Sequence, residues 1–302
     1  MMILFFTSFT GLAADKILKA HQKEIWKIKF SSDGDFFLTT GGDGIVKMWW
    51  SSCLCPLTSF SHDSDSQVYD ADFFPDGRVI SSSLDGSIYI WFRETGEKLA
   101  NIVGHSEKAP RVRVAKDGSR FFTASSDGHV RSYDSTSYQV TSSTIKTKSP
   151  MGIVAMVRGL LTVGLEGIFL WDEKDETKSS RISESPYYFT AEPLPGSDTQ
   201  VLVGGNASEG GPLQIWDTET KQVLKTFQTV PGFFWQVAAS RDGLWVGASA
   251  FQGITYVWNR NSGELVYQSP SSLGDTMSLD FFPEGRALLI GNAEGQAHLA
   301  RF

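Results

Sequence analysis

Cysteine is almost missing from this chain. The two present, Cys53 and Cys55, stand one residue apart in a Ser-Ser-Cys-Leu-Cys-Pro run. A structural zinc site needs four ligands, and no second pair of soft ligands lies at a suitable spacing. A disulfide spanning a single residue departs from the usual geometry, so the pair is expected as two thiols in a loop. Basic charge is also short. Against 34 Asp and Glu there are 27 Lys and Arg, and a net charge of −7 excludes binding driven by neutralising nucleic-acid phosphates. No apolar run approaches the roughly 18 residues of a membrane helix, so no membrane span is expected. Helical periodicity is absent throughout, and with it any helix N-terminus on which a phosphate-binding motif could rest.

What is there is rhythm. Trp49, Trp91 and Tyr133 are 42 residues apart, Trp171, Trp216 and Trp258 follow, and the beat falls again on Ala300. A period in this range marks a repeat architecture whose units stack around a shared core, because none can bury its apolar face alone. In the first unit an apolar run at 25–30 leads through Ser31-Ser32-Asp33-Gly34 to a second at 36–40. Gly41-Gly42-Asp43-Gly44 then leads to a third at 45–49. The second unit repeats this at 68–74, 79–83 and 87–91, with Pro75-Asp76-Gly77 and Leu84-Asp85-Gly86 as turns. Short β-branched and aromatic runs between Asp-Gly turns are hairpin signals. A fourth run, such as 98–103 after Glu94-Thr95-Gly96-Glu97, separates the units. Seven units of four strands give an all-β, seven-bladed β-propeller with four-stranded antiparallel blades.

On these residues the chain resembles the WD-repeat (Trp-Asp repeat) propeller family over residues 15–302. The family's paired marks appear as Gly104-His105, Trp171-Asp172 and Trp216-Asp217, with variants at Ala20-His21, Ser61-His62, Tyr133-Asp134 and Trp258-Asn259. The resemblance implies a buried hydrogen-bonded set in each well-formed blade. It maps onto His21, Thr39, Asp43 and Trp49, then His62, Ser81, Asp85 and Trp91, then His105, Thr123, Asp127 and Tyr133. Units four to seven depart from it: Glu166, Gln252 and Glu294 replace the aspartate and the histidine is missing. Polar staples are therefore expected in the first half alone. The resemblance also implies a rigid, non-enzymatic platform for protein or peptide partners.

The chain reaches Phe302 just after the third strand of unit seven. Residues 14–20 match the strand that precedes each other unit, so the N-terminal strand is expected to close the ring and cover an open edge. Residues 1–14 are apolar, uncharged and end in small residues, and 1–13 have no seat in the ring. They read as a secretory leader lacking the basic n-region, which places the protein outside the cytosol, in the periplasm or extracellular space. A start upstream, or a buried strand in a cytoplasmic protein, stands as the alternative.

His62, Ser81 and Asp85 have the residue types of a hydrolase triad, but one spacing recurring in three units suits a buried network and not a catalytic site. The five histidines, at 21, 62, 105, 129 and 298, offer no paired metal ligands. No catalytic residue, cofactor or metal is expected. Asn206-Ala207-Ser208 is a glycosylation sequon, meaningful only in a eukaryotic secretory setting.

The start of the innermost strand is more distinctive. Counting back seven from the first-turn aspartate reaches Trp26, Tyr69, Pro110, Met151, Tyr188, Trp235 and Met277, with Tyr187, Phe189, Phe233 and Phe234 nearby. Trp26, Tyr69, Tyr188 and Trp235 are candidate partner-binding residues at the mouth of the central channel. Alternatively they extend the core, since Trp26, Ile28 and Phe30 share strand parity. The opposite parity carries Lys27, Lys29, Asp70, Asp72, Arg111, Arg113 and Asp280, which are expected to form ion pairs between adjacent blades around a wet channel. Two other functions stay open: a small-molecule or hydrolytic site in the channel, and a structural subunit of an envelope complex.

Overall fold

The computed structural model describes residues 16–102, 105–108, 111–146, 150–156, 159–172, 178–183, 188–206, 212–228, 232–250 and 253–302, with the backbone alone for 142–146. The apolar leader at 1–14, Gly104, Pro110, Tyr187, Ala207-Ser208 and Gln252 lie outside the described residues.

Seven four-stranded antiparallel sheets stand in a ring. In blade one the strands run outward from the channel as Ile25–Phe30, Phe36–Gly41, Ile45–Trp50 and Cys55–Ser61. The second strand is buried along its whole length, whereas the outermost is largely solvated. That gradient is what stacked sheets require: both faces of the middle strands press on neighbouring blades. Seven apolar clusters result, one at each interface between blades. Among the described residues helix is confined to a single 3-10 turn, Ser271–Leu273.

The ring closes as expected. Ile17–Lys19 pairs with Gln296–Arg301 in the register Ile17↔His298, Leu18↔Ala297 and Lys19↔Gln296, completing the blade of Thr276–Phe281 and Ala287–Asn292. Leu18 is buried with Ala297 and Leu299 of blade seven and with Ile28 and Phe37 of blade one. Beyond the strand, Ala20 and His21 both donate their amides to the Gly295 carbonyl at 2.9 Å. Gly295 sits at φ 76°, and a Cβ there would collide with the His21 and Lys23 carbonyls, so only glycine fits this seam.

The cysteine expectation is corrected. Cys53 and Cys55 are joined as a disulfide, their Cα atoms 5.2 Å apart. Leu54 between them takes a left-handed φ of 55°, which turns the two side chains to the same side.

Six inner hairpins carry the same irregularity. Pairing skips from Ile25 to Lys27, Val68 to Asp70, Pro150 to Gly152, Tyr188 to Thr190, Phe234 to Gln236, and Thr276 to Ser278. Each skip is a β-bulge that leaves one residue unpaired and re-aims its side chain. The skipped residues are Trp26, Tyr69, Met151, Phe189, Trp235 and Met277.

Candidate partner-binding rim and channel

The bulges decide what faces the upper mouth, the end of the channel at which the inner strands begin. Trp26 and Tyr69 belong to no core cluster; their rings stack on each other at 4.8 Å, and both stay partly exposed. Strand parity alone places Trp26 with Ile28 and Phe30 in the core. The extra residue breaks that parity. Arg111 lays its guanidinium over the Tyr69 ring at 4.7 Å. On the facing side Phe189, Phe233 and Trp235 form a string of contacts at 5.6 and 4.7 Å. Trp26, Tyr69, Trp235 and Met277 share the lining of one small cavity beneath this rim.

Tyr188 is not part of it. Its ring is 1% exposed inside the core between blades four and five, and its hydroxyl donates to Gln214 Oε1 at 3.1 Å. The neighbour Phe189 takes the rim position instead. In blade five the turn closed by Leu194 N–H and Gln200 C=O is one residue longer than that closed by Ser31 and Phe36 in blade one. Counting back from the turn therefore lands one place early.

The polar sets lie deep between strands. In blade one Trp49 Nε1 donates to Thr39 Oγ1 at 3.0 Å, and Thr39 lies 2.8 Å from His21 Nε2. His21 Nδ1 faces Asp43 at 2.8 Å. The chain of donors reads Trp to Thr to His to Asp, with the tautomer set by the carboxylate. Blade three repeats His105 to Thr123 at 2.6 Å and to Asp127 at 3.0 Å. There Tyr133 replaces the indole and stacks on Phe121 at 4.9 Å. Arg131 is an addition, donating to Asp127 at 3.0 Å.

Blade two differs. Trp91 Nε1 and His62 Nε2 both meet Ser81 Oγ at 2.8 Å, but His62 Nδ1 reaches Ser87 Oγ at 3.1 Å and not Asp85. Ser87 hands the link on to Asp85 at 2.6 Å. Burial holds His62 and His105 near a pKa of about 4, so both are neutral at pH 7. Burial works against ionisation of Asp85, yet hydroxyl donors Ser64 and Ser87 and the Ser87 amide outweigh it and hold the carboxyl at about 2.

The second half is not bare of staples. Trp171 Nε1 donates to Thr162 Oγ1 at 2.9 Å in blade four, and Trp216 Nε1 to Gln214 Oε1 at 3.0 Å in blade five. These are half-sets, an indole and an acceptor with no histidine. In blade seven His298 Nε2 faces Asn292 Nδ2 at 3.3 Å, a replacement that spacing alone concealed.

The channel charges pair less locally than expected. Arg113 of blade three does meet Asp70 of adjacent blade two, at 2.6 Å. Lys29 of blade one instead crosses to Glu192 of blade five, also at 2.6 Å; Glu192 stands three after the rim residue Phe189, as Lys29 does after Trp26, and counting from Tyr188 puts Ala191 at that place. Asp70, Asp72 and Asp280 accept the amides of Val112, Val114 and Phe30 on the next inner strand. Carboxylates thus tie blade to blade through the backbone. Among the described residues no group of His, Cys, Asp and Glu is placed to hold a metal ion, and no helix is long and apolar enough to cross a membrane.

The sequence model of the family described as "WD domain, G-beta repeat" matches residues 14–49, 54–91 and 96–134. Residues 14–134 carry three WD repeats. The three matched segments end at Trp49, Trp91 and the Tyr133-Asp134 pair, in the blades with full histidine sets. The chain is 22% identical over 82% of its length to Autophagy-related protein 16 of Arabidopsis thaliana, covering 50% of that protein. It is 24% identical over 84% of its length to Protein tipD of Dictyostelium discoideum, covering 42% of that protein. A shorter match, 36% identical over 28% of the chain, is to Eukaryotic translation initiation factor 3 subunit I of Xenopus tropicalis, 26% of which is covered. The propeller spans half or less of the length of these relatives.

Proposed function

We propose that this propeller is a non-enzymatic platform that engages a protein or peptide partner at its upper rim. The observation that carries the reading is the set of bulges: they turn Trp26, Tyr69, Phe189 and Trp235 out of the blade cores onto one mouth. Aromatic anchors of this kind dominate protein interfaces because they supply large apolar area at low entropy cost. The burial of Ser81, which is 0% exposed and already engaged by His62 and Trp91, supports a structural role over a nucleophilic one. The apolar segment 1–14 supports export, which N-terminal sequencing of the native protein tests; an intact Met1 on a cytosolic form refutes it.

The rim is tested by affinity capture from the native source with wild type, Trp26→Ala and Trp235→Ala, alongside thermal melts. Expected is loss of the captured partner at a cost of about 2 kcal/mol or more, with the melt unchanged. Destabilisation by roughly 3–5 kcal/mol, with capture preserved in the folded fraction, returns these rings to a packing role.

A further inference from the structure

The lower end of the channel, where the inner strands finish, is built differently from the rim. The space under the rim holds about 20 Å³, whereas the lower cavity holds about 450 Å³. The first suits a single water; the second falls in the range of small-ligand sites. Apolar Phe73, Val114 and Met156 on successive blades line part of its wall, alongside charged side chains. It opens to solvent among the exposed turn residues Ser32, Lys116, Asp198 and Arg241.

Charge is unevenly divided along the axis. The upper lining carries Lys27, Arg111 and Arg113 against Asp70. Deep in the lower cavity stand Asp72, Glu192 and Asp280 with Lys29, while Arg113, at the boundary of both spaces, is held by Asp70. Lys29 is taken by Glu192. Asp72 and Asp280 accept only backbone amides: Phe73 and Val114 for the first, Phe281 and Phe30 for the second. Among the described residues no cationic side chain hydrogen-bonds either carboxylate. Burial raises the pKa of Asp280, outweighing the pull of nearby Lys29, which is hydrogen-bonded to Glu192, and of the Phe30 amide.

We infer that the lower cavity is a binding site for an organic cation with an apolar stem, its ammonium or guanidinium group lodged between Asp72 and Asp280. The stem lies against Phe73, Val114 and Met156. The cation completes two carboxylates that each retain free lone pairs, and charge-assisted hydrogen bonds are the strong kind. A free amine and a lysine side chain on a partner present the same chemistry. The site is independent of the upper rim and stands whether or not the rim binds.

Calorimetric titration of the whole chain with n-pentylamine and with N-acetyl-lysine methylamide tests it, with hexanoate as the anion of matching stem. Saturable binding of either cation is expected, tighter than hexanoate by about tenfold or more. Binding of pentylamine alone assigns the site to free amines; binding of the lysine amide shows that a protein side chain reaches it. Asp280→Asn and Asp72→Asn each remove a charge but keep an acceptor for the backbone amide. Either, if its melt matches wild type, should weaken the cation by about tenfold or more, while Trp26→Ala leaves it unchanged. Neither cation saturating at millimolar concentration, hexanoate binding as well, or full affinity in a folded Asp→Asn variant overturns the proposal.

Discussion

At the scale of the residue, the hydroxyls of Thr39, Ser81 and Thr123 are the joints of the first three blades. Ser81 receives an indole N–H and faces an imidazole, both buried. Ser81→Ala strands both partners, and the expected loss is about 1–3 kcal/mol, read from urea unfolding. Thr162→Ala in blade four strands only Trp171, so its loss should fall at the lower end of that range. Equal losses would mean that the histidine adds nothing to the joint. The residue types of these joints are visible in the sequence, because a hydroxyl, an aspartate four later and an aromatic six beyond that recur three times. That Ser87 stands between His62 and Asp85 is not, since a two-residue offset of a serine has no distinctive signature. Tyr188 and Phe189 show the same limit. Two adjacent aromatics cannot be assigned to core or rim until the turn length and the bulge are known.

At the scale of the element, the short strand Ile17–Lys19 does more than its three residues suggest. It covers the edge of Gln296–Arg301 and brings Leu18 and Ala20 into the cluster shared by blades one and seven. Deleting residues 15–20 removes that apolar burial and several backbone bonds, for an expected loss of about 3 kcal/mol or more and a rise in aggregation. Deleting residues 1–13 should leave the melt where it was. Equal melting of the two truncations would refute the closure as a source of stability. The inner strands teach a related lesson. Their alternation reads cleanly in sequence from position 27 onward, but the bulge before it, repeated in six blades, resets the parity of the rim residue.

For the whole molecule, stability is spread around a ring of seven interfaces, so a local loss in one blade is felt by the closed structure. Acid should expose this. His62 and His105 are held near a pKa of about 4 when folded, against an ordinary 6.5 once unfolded. Their contribution is complete above about pH 6.5 and is lost as pH falls toward 4, at about 1.4 kcal/mol per histidine per pH unit. Asp85, held at about 2, adds a further loss only below about pH 4, the unfolded carboxyl range. Urea midpoints should therefore drop between pH 6.5 and 4 while a His62→Gln, His105→Gln double variant shows a flatter profile; parallel profiles would contradict the assignment. The sequence alone determined the blade count, the strand order and the closing strand, because these follow from period, turn chemistry and alternation, all of which are local. Only the tertiary structure decided which residues face the channel, that Lys29 reaches across it to Glu192, and that Asp72 and Asp280 share a cavity with no cationic side chain hydrogen-bonded to either. Those facts depend on bulges and on contacts between blades far apart in the chain, 163 residues for Lys29 and Glu192 and 250 for Phe30 and Asp280, and no local pattern encodes a distance of that kind.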